Sequence, residues 1–240
     1  MTVLVVGASG ATGRQLVNQL LLQGNKVKVV VRSKEGLPKS WHDNENLEMI
    51  TASILELSDH EMSEYTKDCN AVASCLGHNM TFKGMYGQPR QLVRDTTERL
   101  CNAINSNQPQ SPVKFVLMNS SGNSNRDLDE PISFAQQCVI ALLRLLLPPH
   151  VDNEKAADYL RTQIAQKNKY IEWVTVRPDG LINEEEVSAY EAFPSPIRSA
   201  IFDAGTISRI NVGHFMSELI NNDALWNTWK GQMPVIYSKS

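Results

Sequence analysis

Val3-Leu4-Val5-Val6-Gly7-Ala8-Ser9-Gly10-Ala11-Thr12-Gly13 is an apolar run that ends in three glycines, each separated by two residues. A short apolar run bounded by glycine reads as a buried strand, and Leu16, Val17, Leu20 and Leu21 then recur with the period of a helix. Val27 to Val31 supplies the next apolar run and closes a strand–helix–strand unit of about thirty residues, the size a βαβ dinucleotide loop requires. In that setting the glycines have separate jobs. Gly7 permits the tight turn, Gly10 lets backbone approach a pyrophosphate with no Cβ in the way, and Gly13 lets helix and strand pack closely. A helix starting near Ala11 aims its free N–H groups and positive dipole end at the phosphates, with Ser9, Ala11 and Thr12 completing the loop. A glycine-rich turn with no ligand fits less well, because a strand and a helix flank this one at the required spacing.

The end of the second strand bears on which dinucleotide is bound. A site for NAD usually places Asp or Glu about twenty residues past the glycines, to accept hydrogen bonds from ribose hydroxyls. Here Lys26 to Val31 runs into Arg32-Ser33-Lys34, with no acid at the tip. An acid would repel a 2′-phosphate, whereas a guanidinium grips one with a bidentate fork. A solvated basic turn is the bland alternative; the position of Arg32 favours NADP over NAD.

The chain of 240 residues is long enough for one large α/β domain, spanning 1–240. A net charge of −3 and a pI near 6.0 offer no electrostatic case for nucleic acid. The apolar start is short and soon polar, which reads as a first strand rather than a secretory leader. The four cysteines, Cys69, Cys75, Cys101 and Cys138, show no metal-binding spacing and read as free thiols of a reducing cytosol, so a cytoplasmic location and no metal are expected. Val139 to Leu147 is strongly apolar, but it is far shorter than the ~20 residues of a membrane span and Arg144 interrupts it. A helix this apolar has to be covered, by a substrate pocket or a dimer partner, so a monomer or homodimer is expected.

Strands are predicted at 2–7, 26–32, 47–51, 71–76, 113–119 and 172–177, alternating with helices near 12–24, 58–68, 90–107, 132–147, 152–168 and 211–222. Alternation with near-continuous apolar strands predicts a doubly wound parallel sheet of Rossmann type, with helices on both faces. Pro-, Gly- and Asn-rich stretches follow the later strands, at the edge where ligands bind in such sheets. The 178–209 stretch has no clear period and is predicted to form a small C-terminal lobe over the active site. Asp152 is read as the N-cap of the helix after His150, and Asn211 as the cap of the last helix.

Taken together, the glycine loop, Val176-Arg177-Pro178-Asp179-Gly180 and Ile207-Ser208-Arg209 running into Asn211-Val212-Gly213-His214 resemble the atypical short-chain dehydrogenase/reductases. Within them, the chain resembles the branch that holds NmrA-like proteins and the flavin reductase/biliverdin reductase B type. The resemblance spans nearly the whole chain. It implies that Gly7, Gly10, Thr12 and Gly13 form the pyrophosphate loop and that Arg32 meets the 2′-phosphate. It places Ser53 and Ile54 at the adenine, although relatives usually carry Asp where this chain has Ser53. Leu76 and Gly77 fall beside the adenine ribose. Ser120 falls opposite the nicotinamide, Lys155 on its ribose, and Pro178 and Gly180 beside its amide, with Ser120 and Lys155 as the catalytic candidates. Relatives with the full catalytic set carry Tyr four residues before the lysine; here Val151 stands there, so the usual proton donor is missing.

Two functions are compatible with these features. The first is an NADPH-dependent reductase that passes hydride to a flavin, a quinone or a similar small acceptor, chemistry the cofactor carries and the fold orients. The second is a non-catalytic NADP-binding redox sensor, whose partner binding would follow the cofactor's oxidation state. His78, His150 and His214 are minor candidates. Arg177 and Arg209 are read as paired with acids near the lobe.

Overall fold

Thr2–Val6 forms β1 and Ala11–Leu22 forms helix α1. They are followed by β2 (Lys26–Val31), α2 (Lys39–His42), β3 (Leu47–Thr51), α3 (Asp59–Thr66), β4 (Ala71–Ser74), α4 (Phe82–Tyr86), α5 (Leu92–Asn107) and β5 (Val113–Met118). The second half holds α6 (Phe134–Leu146), α7 (Pro148–Tyr159) running into a π-helical turn (Leu160–Ile164), β6 (Ile171–Pro178), β7 (Gly180–Ile182), β8 (Tyr190–Phe193), β9 (Thr206–Ser208), α8 (Arg209–Asn221), α9 (Asp223–Trp229) and β10 (Val235–Ser238). The computed structural model describes residues 1–79 and 81–239, and of Lys83 the backbone only.

The main sheet runs β3-β2-β1-β4-β5-β6-β10-β8. Its strands are parallel except β8, which lies antiparallel on β10. The order confirms the doubly wound Rossmann-type sheet, with its switch point between β2-β1 and β4, where the chain's path across the sheet reverses. Alternating residues of β1 serve opposite faces. Val3 and Val5 pack with Leu16, Val17 and Leu20 of α1 and with Phe215 and Leu219 of α8. Leu4 and Val6 pack with Met62 of α3, Leu100 and Ile104 of α5 and Ala157 of α7. Glycine sets how closely α1 and α8 approach: a Cβ on Gly213 would lie 2.7 Å from the Leu16 nitrogen and 2.8 Å from the Gln15 carbonyl carbon.

Several boundaries differ from the sequence reading. The 178–209 stretch holds three short strands: β8 joins the main sheet through β10, while β7 and β9 pair with each other in a separate parallel ribbon. Helix α7 starts at Pro148, because proline is tolerated where a helical N–H has no partner. Asp152 therefore lies inside α7 and does not cap it. Its carboxylate instead accepts from the Val93 and Arg94 N–H groups, at 2.8 and 3.0 Å, and caps α5 from outside. Helix α8 is capped by Ser208, which accepts from the Asn211 N–H at 3.2 Å; Asn211 sits inside the first turn. Of the α6 residues only Ile140 is buried, and Phe134 and Leu145 are 81% and 78% exposed. Among the described residues no single helix is long and apolar enough to cross a membrane; α6 and the helix after it reach that length only across a 104° bend.

Gly213→Ala is expected to lower stability by about 1–3 kcal/mol, the cost of overpacking a tight contact. The measurement is the midpoint of chemical unfolding, and an unchanged midpoint would show that α1 and α8 separate freely.

Candidate cofactor cleft and active site

A cleft of about 490 Å³ opens beyond the carboxyl ends of β1, β2 and β4, at the switch point. Gly7 leaves β1 with φ +76°, a conformation L side chains rarely adopt, and a Cβ there would lie 2.5 Å from the Cys75 carbonyl carbon at the end of β4. A Cβ on Gly13 would fall 2.2 Å from the Gly7 carbonyl oxygen. Gly10 closes the turn by donating to that same oxygen at 3.0 Å. The loop thus sets the first turn of α1 against the strand ends, and no side chain caps that turn. Its first N–H groups and positive dipole end are left without a side-chain partner, which suits a pyrophosphate.

The cleft brings together Gly7, Ser9, Gly10, Arg32, Ser53, Ile54, Leu76 and Gly77. Arg32 is exposed, and among the described residues it pairs with no acid. Glu56 also lines the cleft, beside Ser53 and Ile54. Thr12 and Gly13 do not line it; both are buried behind the loop, where Gly13 acts through packing. Ala11 faces a second cleft of about 460 Å³, shared with Ser9, Arg14, Gln15, Asn183, Glu184 and Arg209. Cys75 sits at the back of the cofactor cleft with its thiol pushed up to about 12 by burial, which makes it a poor nucleophile.

His78 fixes the wall on the β4 side. Its Nδ1 lies 3.2 Å from the Gly84 carbonyl oxygen, and its Nε2 lies 2.7 Å from Asp152 Oδ2. The Gly84 carbonyl and the Asp152 carboxylate thus hold the ring from both of its nitrogens and fix its orientation. Through Asp152 the cleft wall is joined to α7 and to the start of α5. Nothing in a single sequence marks Asp152 for this role, because its partners are distant in the chain.

The remaining candidates gather at the ends of β5 and β6. Ser120 is half-buried, and its hydroxyl accepts from the Gly122 N–H at 3.2 Å. Ser121 donates to Asp179 Oδ1 at 2.9 Å, and the other Asp179 oxygen accepts from the Gly205 N–H at 2.8 Å. The Pro178 carbonyl accepts from the Ser121 N–H, and Gly180 packs against Gly205, where a Cβ would sit 2.8 Å from the carbonyl oxygen. Pro178 and Gly180 thus sit beside Ser120, outside the cleft at the glycine loop. Lys155 does not join them. Helix α7 turns Asp152 and Ala156 inward, which leaves Lys155 exposed and donating to Gln91 Oε1 at 3.1 Å. Tyr159 is further along α7 with its phenol raised to about 12, chiefly by burial, so it stays protonated near neutrality and is a poor proton donor.

Arg177 holds these loops in place. Its side chain is fully buried and all five of its N–H donors are used. Nε donates to the Met233 carbonyl at 2.6 Å, Nη1 to the Asn123 carbonyl and Glu130 Oε2, and Nη2 to Glu130 Oε1 at 2.7 Å and the Pro194 carbonyl. Pairing with an acid is therefore borne out for Arg177. It is corrected for Arg209, which donates to Asn183 Oδ1 at 2.9 Å and to the Leu181 carbonyl, both neutral.

A doubly wound sheet with a glycine cradle and an uncapped helix start at its switch point defines a dinucleotide-binding fold of Rossmann type. The chain belongs to the NAD(P)H-binding family, whose profile matches residues 7–223. It is similar to At2g34460, an uncharacterised chloroplastic protein of Arabidopsis thaliana, with 29% identity over 76% of this chain and 60% of the relative's length. The chain thus spans less than two thirds of that relative. Among solved structures, it resembles a Veillonella parvula short-chain dehydrogenase/reductase in complex with NADP, with a TM-score of 0.71 and 14% identity over 100% of this chain and 95% of that one. It also resembles a Streptococcus pneumoniae protein described provisionally as an NADH-flavin reductase, with a TM-score of 0.67 and 16% identity over 100% of both chains. At these identities the structures establish the shared fold.

Glu130→Ala would leave the Arg177 guanidinium buried without its anion. Its expected cost is about 3–5 kcal/mol, the usual penalty for breaking a buried pair. Unfolding by denaturant checks this, and a loss below about 1 kcal/mol would mean that water reaches Arg177 once the carboxylate is gone.

Proposed function

We propose that the chain is an NADPH-dependent reductase that delivers hydride to a flavin, a quinone or a similar flat acceptor. The observation that carries this reading is the pairing of an uncapped helix start in a glycine cradle with the free guanidinium of Arg32 in the same cleft. When bound, the cofactor supplies the hydride. The protein's part is to hold and orient it: the α1 N-terminus and the Gly7–Gly13 backbone take the pyrophosphate, and Ile54 and Leu76 flank the adenosine. Arg32 meets a 2′-phosphate at the cleft mouth, where its charge has no competing partner. Ser120, with Pro178 and Gly180 beside it, faces the nicotinamide end.

The type of acceptor follows from what the site offers. Flavins and quinones accept hydride readily and can take a proton from solvent, so they do not require a tyrosine where Val151 stands. The exposed apolar face of α6 follows the Ser120 loop in the chain and suits a flat aromatic acceptor. The NADH-flavin reductase description of the Streptococcus protein supports the same choice.

The test is NADPH oxidation by purified protein with FMN and with a small quinone, alongside NADH as the competing donor. Turnover above background, faster with NADPH, is expected. Arg32→Ala is expected to weaken NADPH binding by about 1–3 kcal/mol, roughly 5–150-fold, and to leave NADH binding unchanged. An unchanged NADPH/NADH ratio in that variant would remove Arg32 from the phosphate site. Tight binding with no turnover on any acceptor would overturn the reductase reading in favour of a redox-sensing regulator.

A further inference from the structure

We propose that His150 is the proton donor at the hydride-accepting end of the site, which extends the acceptors to carbonyl compounds that must gain a proton together with a hydride. This inference rests on the reductase reading above and adds a residue and a substrate class to it.

Position comes first. His150 lies in the first turn of α7, and its Cε1 is 3.9 Å from the point a Cβ on Gly122 would occupy. Ser120 Oγ is 3.5 Å from that same point. The imidazole and the hydroxyl therefore flank one face of Gly122 at the carboxyl end of β5, where side chains of a doubly wound sheet reach a substrate.

The second argument is the hydrogen-bond inventory. His150 Nε2 is buried and has no hydrogen-bond partner among the described residues. A buried polar nitrogen without a hydrogen bond calls for an explanation, and the anion facing this one is the Glu154 carboxylate. The neighbours of Ser120 are already committed. Asn119 donates to the Asn153 carbonyl and accepts from the Ser120 N–H, Ser121 is tied to Asp179, and Lys155 points outward. Among the described side chains around Ser120, His150 keeps Nδ1 uncommitted, because its Nε2 is directed at Glu154.

The third argument is orientation. One turn along α7, Glu154 places Oε1 3.5 Å from His150 Nε2. Arg144 of α6 grips that carboxylate through Nε at 2.9 Å and Nη2 at 2.8 Å. Burial would raise the Glu154 carboxyl, but His150 and Arg144 outweigh it and hold it at about 2, so an anion faces Nε2 at any working pH. With Nε2 turned to Glu154, Nδ1 is left for the acceptor. A donor oriented by a fixed carboxylate beside a hydroxyl is the geometry of general acid–base catalysis.

The step balances as follows. The carbonyl carbon takes a hydride from the reduced nicotinamide, which leaves as the oxidised form. The C=O electron pair takes the Nδ1 proton of the imidazolium, the N–H bond breaks, an O–H bond forms, and the product is an alcohol. The neutral ring regains its proton from water.

The experiment combines rates, binding and a spectroscopic readout on the full chain. Wild-type protein and His150→Gln are assayed with NADPH and a panel of aldehydes and ketones, and the wild type also with FMN and a quinone. Carbonyl reduction is expected to fall by about 100-fold or more in kcat, with the NADPH Kd unchanged. In ¹⁵N-histidine spectra of wild-type protein saturated with NADP⁺, the His150 ring signal should move when a carboxamide mimic of the carbonyl substrate is added; this measurement stands even where the variant folds poorly. Flavin or quinone turnover without carbonyl reduction would overturn this inference and leave the reductase reading in place. So would carbonyl reduction that survives in His150→Gln, or a His150 signal that never moves. Wild-type protein that binds NADPH and reduces nothing overturns both.

Discussion

Two backbone contacts with no room for a side chain organise this molecule. Helix α1 can start where it does only because residue 13 leaves the Gly7 carbonyl uncovered, and β1 can turn beside β4 only because residue 7 has no Cβ to strike Cys75. Together they press a helix start, with its unpaired N–H groups, into the crevice between two parallel strand ends. An N-terminus held there without a side-chain cap is stabilised by an anion. The same geometry that completes the fold therefore creates the binding site. The rest of the cleft follows from strand order, since β2 delivers Arg32 and β4 delivers Leu76 and Gly77 to the same edge.

The opposite half of the site is held by charge rather than by close packing. Arg177 stands inside β6 with every N–H satisfied, and its partners are a carboxylate from the loop after β5 and carbonyls from the segments before β9 and β10. Burying that charge is tolerable only because each donor is used. It fixes the loops that carry Ser120, Pro178 and Gly180 relative to one another. The glycine-cradle end of the site is thus shaped by sterics and the Ser120 end by a buried ion pair. A second ion pair, Arg144 with Glu154, stiffens the start of α7 where His150 lies.

Much of this was legible in the chain. The Val3–Val6 run and the glycine spacing mark the first strand, the turn and the helix, because buried parallel strands are near-continuous apolar stretches and only glycine fits the loop. Arg32 could be placed at the cleft by counting from that loop. The β8 and β10 pairing was not legible, since β10 has only four residues and owes its place to β6. The exposure of Lys155 was not legible either, because which face of α7 turns inward is decided by the packing of Asp152 and Ala156 against distant elements. Asp152 has a cap's chemistry, but it caps a helix more than fifty residues away, a pairing visible only once the chain is folded. His150 and Glu154 stand four residues apart and could be seen as a pair, but not the placement of His150 beside Ser120.

The most direct test of the central claim is calorimetric titration of the unmodified protein with NADPH. The glycine cradle and the uncapped start of α1 require saturable binding at one site per chain. Heats that never saturate, in protein shown to be folded, would mean that the cradle holds no dinucleotide and would contradict the account at its foundation.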